Sequence, residues 1–404
     1  MPSNNTQKLR ICKGMIPDEF APNHPPGAAL AGFVAADLDL VAEHIHAIHS
    51  PQAVSAGPTL DAQGCTILPG FIDVHVHGGA GFDTMDASVE ALTTMARFFA
   101  QHGVTTFLPT TMTAPHPAIL QAVAAVARQP AQAPDGARIG GVHVEGPYIS
   151  PKFPGAQPAI YIRQPNLDEF AALVAAGPVR MITLAPEEPG ATALIAAALQ
   201  HNVVAVLGHT NATYAECEMA FAAGVTQATH TYNAMSALHH RYPGTLGAVL
   251  SNDAIYAQLI ADTIHVHPAA IKILARCKGV QRTILITDAI RATGLADGKY
   301  DLGGQMVTVQ GAICTLADGT LAGSVLTMER ALANFMGATG LSLAEAWPTT
   351  SRTPAASLEL DGVTGSIAPG YWADLVLLDE ALQVVATIVA GCIVYLRDPE
   401  RLTP

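Results

Sequence analysis

Six side chains in this sequence have the types and spacing of a metal centre with a proton carrier beside it: His75, His77, Glu145, His209, His230 and Asp288. His75 and His77 stand two apart. On a strand they would point to the same face, and if that face is a barrel interior they present two imidazoles to one ion. In a chain with 16 histidines a lone His-x-His is weak, but this pair closes an apolar run just before Gly78-Gly79. Glu145 ends another largely apolar run, and an ionised carboxylate there needs a cation partner. An arginine could serve in a structural salt bridge, yet the neighbouring run ends carry histidines and few cations. His209 and His230 close two further runs, and neutral imidazole is a common ligand for zinc or iron. Glu145, His209 and His230 make an open three-ligand set of the kind catalytic zinc uses while keeping a position for water. His75 and His77 would permit a second ion with Glu145 as bridge. The expectation is a divalent metal, zinc or iron, with one or two ions per subunit. Asp288 suits a metal ligand or a general base, and its competing role is a cap on the following helix. His143, on the same face as Glu145, reads as a packed or supporting histidine.

These residues are scattered over two hundred positions, so something must gather them. Eight short apolar runs occur at 72–77, 105–111, 139–145, 179–186, 203–209, 227–233, 254–260 and 283–288. Ala-rich helical stretches such as 89–102, 119–128, 191–201 and 214–223 lie between them, which is the βα signature of a parallel sheet. In a (β/α)₈ barrel the C-terminal ends of all eight strands converge on one face. Residues 1–69 and 362–404 lack this alternation and carry short strand-like pieces with turns such as 23–27. They are expected to build one small β domain, a sandwich, flanking a catalytic barrel over 70–361. A Gly-rich interruption at 292–321 suggests a hairpin insertion near the mouth.

Composition narrows the partners. The 404 residues carry 33 acids against 20 Lys and Arg, a formal net charge of -13, which argues against nucleic acid or an anionic membrane. Six cysteines lack paired spacing, the N-terminus has no apolar core with a cleavage site, and no apolar stretch reaches a membrane span. A cytoplasmic enzyme with reduced thiols is expected. Between Arg180 and Lys272 the only Arg or Lys is Arg241, beside His239 and His240. An isolated guanidinium in an acidic chain suits a bidentate phosphate grip, with a surface ion pair as the equal alternative.

The His-x-His of 69–79, followed by His, His and Asp at later run ends, resembles the amidohydrolase superfamily. Within it, His-Val-Glu-Gly-Pro-Tyr (143–148), Gly-His-Thr (208–210), Thr-His-Thr-Tyr-Asn-Ala-Met-Ser (229–236), His-His-Arg-Tyr-Pro-Gly (239–244), Ala-Asp-Thr-Ile-His-Val (261–266) and Leu-Ala-Gly-Ser (321–324) are similar to the N-acetylglucosamine-6-phosphate deacetylase family, in order and over nearly the whole chain. The resemblance implies a flanking β-sandwich, a homodimer or higher oligomer, a metal held by Glu145, His209 and His230, and Asp288 as proton acceptor and donor. It also implies a phosphorylated amino-sugar substrate lined by Ala156, Gln157, Asn233, Ala234, Arg241, His265 and the turn of Leu321, Ala322 and Gly323. Two departures, Phe153-Pro154 and Tyr242 after Arg241, bear on which sugar epimer is taken. Amide hydrolysis needs an activated water and a proton for the leaving amine, and a metal with one carboxylate supplies both. The runner-up is another amidohydrolase, acting on the galacto epimer, a cyclic amide or an N-acylated amino acid. The cyclic-amide class often bridges its ions with a carboxylated lysine, and no run end here has one. An aldolase or isomerase of phosphorylated sugars could use the same barrel, and a non-catalytic sensor would have no need of the acid-base set.

Overall fold

The computed structural model describes residues 8–21, 32–51, 57–129 and 135–403, and the turn read at 23–27 lies outside them. All eight apolar runs contain strands, β1 (Phe71–Val76), β2 (Val104–Thr111), β3 (Val142–Glu145), β4 (Val179–Leu184), β5 (Val204–Leu207), β6 (Gln227–Ala228), β7 (Tyr256–Ile260) and β8 (Thr283–Ile286). Each pairs in parallel with the next in chain order. The circle closes where Val76 bridges Ala289, the Asp288 amide donates to the His75 carbonyl at 3.0 Å and the His77 amide to the Ala289 carbonyl at 2.8 Å. This is a (β/α)₈ barrel.

Strands buried on both faces read as nearly continuous apolar runs, and every residue of β1, β2, β3 and β8 is buried. Their outer faces pack on the returning helices: Phe71, Phe107, Leu184 and Ile284 share one core with Leu92, Ile119, Leu194, Ile271 and Leu332. Helix starts are signalled locally. Ser88 caps Val89–Gln101, Asn166 caps Leu167–Ala176, and Thr213 with Glu216 forms a capping box on Tyr214–Ala223. The inner face is different, because Thr183, Gln227, Thr229, Gln258 and Thr287 are all buried there with His75 and His143.

Two runs are shorter as strands than the sequence suggests. The run 139–145 breaks at Gly140–Gly141: Arg138–Ile139 pairs with β2, and β3 starts at Val142. Gly141 has φ +120°, and a Cβ there would meet the Pro178 carbonyl at 2.8 Å. The run 227–233 stops after Ala228, because His230, Tyr232 and Ala234 take positive φ and leave the ladder.

The segments at the two ends of the chain meet in one sheet, in the order Cys392–Leu396, Val384–Val389, Leu375–Leu378, Thr66–Pro69, Lys8–Pro17, Phe33–Val41, His44–His49, with Thr59–Asp61 and Leu402–Thr403 attached at its side. The antiparallel pairing of Thr66–Pro69 with Leu375–Leu378 joins the two ends, over a separate core that includes Ile11, Leu38, Ile45, Leu60 and Ile388. A separate β-rich domain therefore exists beside the barrel. The interruption after β8 is a three-stranded antiparallel sheet, Gly298–Leu302, Gln305–Gln310 and Ile313–Thr315. It packs Leu302, Val307, Val309 and Cys314 on Met112, Ile290 and Ala322, and so forms a roof on one side of the barrel mouth. No helix of the described residues is long and apolar enough to cross a membrane.

Candidate metal centre

His75 is carried by β1 itself, Glu145 is the last residue of β3, and His77 follows β1 directly. His209, His230 and Asp288 each stand two residues beyond the last residue of β5, β6 and β8, with φ of 47°, 23° and 49°. All six are buried, and their polar atoms converge. His209 and His230 Nε2 lie 3.2 and 3.1 Å from Glu145 Oε1 and 3.0 Å from each other. His77 Nε2 lies 3.2 Å from Glu145 Oε2 and 3.3 Å from Asp288 Oδ1, and His75 Nε2 lies 3.3 Å from His77 Nε2 and 3.5 Å from Asp288 Oδ1. Two three-residue groups result, Glu145, His209 and His230 on one side and His75, His77 and Asp288 on the other.

The donor chemistry fits a cation. His77 Nδ1 faces the Thr110 carbonyl at 3.2 Å and His209 Nδ1 the Phe153 carbonyl at 3.0 Å. A carbonyl can only accept, so both rings carry their proton on Nδ1 and turn an Nε2 lone pair inward. Burial works against the charged forms of Glu145 and Asp288, and without an ion only positive charge on the imidazoles, His75 first, outweighs it, holding Glu145 well below the usual carboxylate range and Asp288 at about 2; a bound cation would supply that charge in place of the ring protons. Lone pairs and carboxylates that face one another without protons repel unless a positive ion lies between them. Ligands held tetrahedrally at about 2.0–2.1 Å from zinc lie roughly 3.3 Å apart, which is the spacing across this cluster. His143 does not join it. Its ring bridges the Val74 carbonyl and Thr183 Oγ1, and burial together with His75 pushes its pKa down to about 3, so it is neutral. Asp73 ties β1 to the end of β8 by accepting from Thr287 Oγ1 at 2.5 Å.

The cluster opens on a cavity of about 240 Å³ whose wall includes His77, Glu145, Ala156, Gln157, His209 and His230, and also Asn233, Ala234, His265, Asp288, Leu321 and Gly323. Gln157 donates to Glu145 Oε2 at 2.6 Å and accepts from the Thr113 amide at 2.7 Å, so it braces the carboxylate. His265 is partly buried, with its side chain largely covered, and is tied through Nδ1 to Asp262 Oδ2 at 2.6 Å. Burial lowers its pKa, the Asp262 carboxylate raises it by more, and the net direction is upward. Three residues singled out in the sequence are not on this wall. His75 is fully buried behind the other cluster residues, Ala322 is in the core of the roof, and Arg241 is exposed, donating to His240 Nε2 at 2.9 Å. Met112, Ile260, Leu302 and Thr320 line the cavity without having been singled out. Ile260 ends β7 and Met112 follows β2, so the strand-end rule that found the cluster would have found both. Leu302 and Thr320 come from the roof and have no such signal.

A (β/α)₈ barrel with histidines and carboxylates gathered at its C-terminal mouth defines a metal-dependent hydrolase fold and site. The chain belongs to the amidohydrolase family, which it matches over residues 66–394. It is 41% identical over 353 residues to an N-acetylglucosamine-6-phosphate deacetylase of Lysinibacillus sphaericus, covering 87% of this chain and 89% of that one. It is also 41% identical over 327 residues to an N-acetylgalactosamine-6-phosphate deacetylase of Escherichia coli O157:H7, covering 80% and 86%. Among solved structures it resembles a variant of the N-acetyl-D-glucosamine-6-phosphate deacetylase of Mycobacterium smegmatis in complex with N-acetyl-D-glucosamine-6-phosphate, with a TM-score of 0.86 and 32% identity over 96% of this chain and 99% of that one.

Proposed function

We propose that this enzyme hydrolyses the N-acetyl group of N-acetylglucosamine 6-phosphate to give glucosamine 6-phosphate and acetate. The observation that carries the reading is the buried cluster of inward Nε2 lone pairs and carboxylates on the wall of a cavity that also holds His265. Glu145, His209 and His230, with His75 and His77, are the residues that would hold zinc or iron, as one ion or two. Such an ion lowers the pKa of water from 15.7 to about 7 and polarises a carbonyl oxygen.

The chain's own residues do the rest. Asp288, ionised and at the cavity wall, takes a proton from the water that adds to the acetyl carbon. It returns that proton to the nitrogen as the C–N bond breaks, so acetate leaves with the new oxygen and the sugar keeps a free amine. A positioned acid-base group of this kind contributes typically about 10² to 10⁴ in rate. Gln157 fixes the orientation of Glu145. His265, whose cationic form is favoured by its bond to Asp262, offers in that form a charged donor to the phosphate, with Asn233, Ala234, Leu321 and Gly323 on the same wall. The roof excludes solvent on one side.

We also place residues 1–69 and 362–404 in one unit and 70–361 in the catalytic unit, and read the enzyme as a cytoplasmic homodimer. No disulfide joins the cysteines among the described residues, and Leu238 and Tyr242 are exposed around Arg241, where a second copy would cover them. The galacto epimer is the second reading, favoured by an equally similar relative named for it.

The test is acetate release from N-acetylglucosamine 6-phosphate, with the unphosphorylated sugar, the galacto epimer and Asp288→Asn in parallel. Release that depends on the phosphate and falls at least a hundredfold in the variant is expected. No release from metal-loaded protein on any of these sugars overturns the reading, and faster turnover of the galacto epimer moves it to the second.

A further inference from the structure

Among the candidate ligands, His77 and His209 have their tautomers fixed directly by main-chain carbonyls. Among the described residues, no carbonyl bonds to His75 Nδ1. That atom faces Thr229 Oγ1 at 2.9 Å, and a hydroxyl can either donate or accept, so the contact alone leaves the proton on either ring nitrogen.

The ambiguity is removed on the far side of Thr229. Its Oγ1 lies 3.1 Å from Gln258 Oε1, Gln258 Nε2 lies 3.1 Å from Gln227 Oε1, and Gln227 Nε2 lies 2.9 Å from the Ser357 carbonyl. Ser357 ends the helix Arg352–Ser357, outside the barrel strands, and its carbonyl can only accept. Gln227 must therefore turn its NH₂ to Ser357 and its oxygen to Gln258. Gln258 must then turn its NH₂ to Gln227 and its oxygen to Thr229. The Thr229 hydroxyl, now facing an oxygen, donates to Gln258 and is left to accept from His75. That fixes a proton on His75 Nδ1 and makes Nε2, aimed at the cluster, the nitrogen that can offer a lone pair to a cation. Each step follows from the one before, and the amide orientations are dictated by the terminal carbonyl rather than chosen. His75, Thr229, Gln258 and Gln227 are fully buried, so water offers no competing partner.

We infer that Gln227 and Gln258 are positioning residues, which carry the polarity of the Ser357 carbonyl through the barrel interior and thereby hold His75 in the tautomer that can ligate. The functional half of this inference rests on the reading of His75 as a metal ligand, and the tautomer half does not. The opposite tautomer would point an N–H at the cation position and remove one ligand. Partners that orient a ligating imidazole typically change metal affinity by about 10- to 100-fold when removed. Nothing in the strand pattern marks the two glutamines: Gln227 opens the two-residue β6 and Gln258 lies in the middle of β7, so neither stands at a C-terminal strand end.

The experiment uses full-length protein labelled with ¹⁵N in histidine and stripped of metal, with long-range ¹H–¹⁵N spectra reporting which ring nitrogen bears the proton. His75 is assigned by its loss in His75→Ala. Zinc affinity is measured alongside by chelator competition. The Nδ1–H form is expected in the wild type. Gln258→Met, which keeps length and removes both hydrogen bonds, is expected to populate both tautomers and to weaken zinc about 10- to 100-fold. Thr229→Val should do the same, Thr229→Ser should keep the wild-type tautomer and affinity, and Gln258→Met with Thr229→Val together should cost no more than either alone. A merely structural role would lower thermal stability and leave the tautomer unmoved. An unchanged Nδ1–H signal in folded Gln258→Met, or fully additive losses in the double variant, overturns the relay. Wild-type zinc affinity that His75→Ala does not alter instead overturns the reading of His75 as a ligand. Should Gln258→Met fail to fold, the Thr229→Val and Thr229→Ser pair decides the question by the same signal.

Discussion

His265 offers the sharpest separation of substrate recognition from chemistry. It follows β7, and Asp262 Oδ2 accepts from its Nδ1 at 2.6 Å, while Asp262 Oδ1 accepts from the amides of Ile264 and His265 at 2.8 Å each. Burial disfavours the imidazolium and the Asp262 hydrogen bond and charge favour it more strongly, so the pKa lies above its ordinary value. With Nδ1 engaged, Nε2 is the atom left for the cavity. A hydrogen bond to a charged group contributes about 1.5–3 kcal/mol. At 1.36 kcal/mol per factor of ten, that is about ten- to 150-fold in kcat/KM. His265→Gln keeps a neutral donor and removes the charge. The kcat/KM ratio of N-acetylglucosamine 6-phosphate over N-acetylglucosamine, read by acetate release, should fall by that factor, with the unphosphorylated sugar little affected. The sign of the pH effect follows from the direction of the shift. A cationic form favoured by its partner is fully present below the free-imidazole pKa and is lost as pH rises through the raised one. Asp262→Asn keeps the ring and removes the partner, so the phosphate preference should disappear at a lower pH than in the wild type. Equal losses on both sugars in His265→Gln, or an alkaline limb that does not move in Asp262→Asn, would refute the assignment of His265 to the phosphate.

Two further outcomes follow from buried charge. Asp83 caps the turn Thr84–Asp86, and burial pushes its pKa up to about 6 against hydrogen bonding from Met85. The folded chain then holds a proton that the unfolded chain, at about 3.9, has released. The associated stability is lost between about pH 4 and pH 6, so Asp83→Asn should gain on the wild type over that window, by at most about 3 kcal/mol. Paired melting temperatures at pH 4, 5, 6 and 7 check this, and a constant difference contradicts it. Metal removal is the second. Resupplying zinc at 100 times its dissociation constant should stabilise chelator-treated protein by about 2.7 kcal/mol, and Glu145→Gln should abolish most of that gain. An equal rise in both proteins in thermal melts would remove Glu145 from the metal site.

The barrel was legible in the sequence because strands buried on both faces leave uninterrupted apolar runs, and the helix starts carry caps such as Ser88 and Thr213. The six cluster residues were legible because each breaks such a run with a group that is costly to bury alone. Three things were not. The exit of the chain after Ala228 depends on positive φ at His230, Tyr232 and Ala234, a conformation that none of these residue types announces. The part of the roof in the cavity wall depends on how Leu302 packs near Met112, a long-range match without a local motif. The polar interior was invisible for a third reason. Gln227 and Gln258 sit in otherwise ordinary strand runs, and their meaning lies in a chain of partners drawn from four separate segments.

The left-handed backbone at His209, His230 and Asp288 has a physical rationale that unites these points. Within a strand, side chains alternate between the inside of the barrel and its helical shell. Glu145 reaches the mouth from its strand end, whereas a group placed two residues further on is turned back over the mouth only where that alternation has been broken. A positive φ just past the strand breaks it, at about 1–2 kcal/mol for a residue with a Cβ. Glycine would adopt it more readily but brings no ligand. The surrounding main chain holds each of the three in place. The His209 carbonyl accepts from the Ser150 amide at 2.8 Å, the His230 carbonyl accepts from Asn233 at 2.9 Å, and Asp288 is held by its amide on His75 at 3.0 Å and its carbonyl on Ser324 at 2.8 Å. Ser324 belongs to the Leu-Ala-Gly-Ser turn that closes the roof. The same turn that lines the cavity therefore pins the backbone of the proposed proton carrier, which couples the shape of the sugar site to the aim of Asp288.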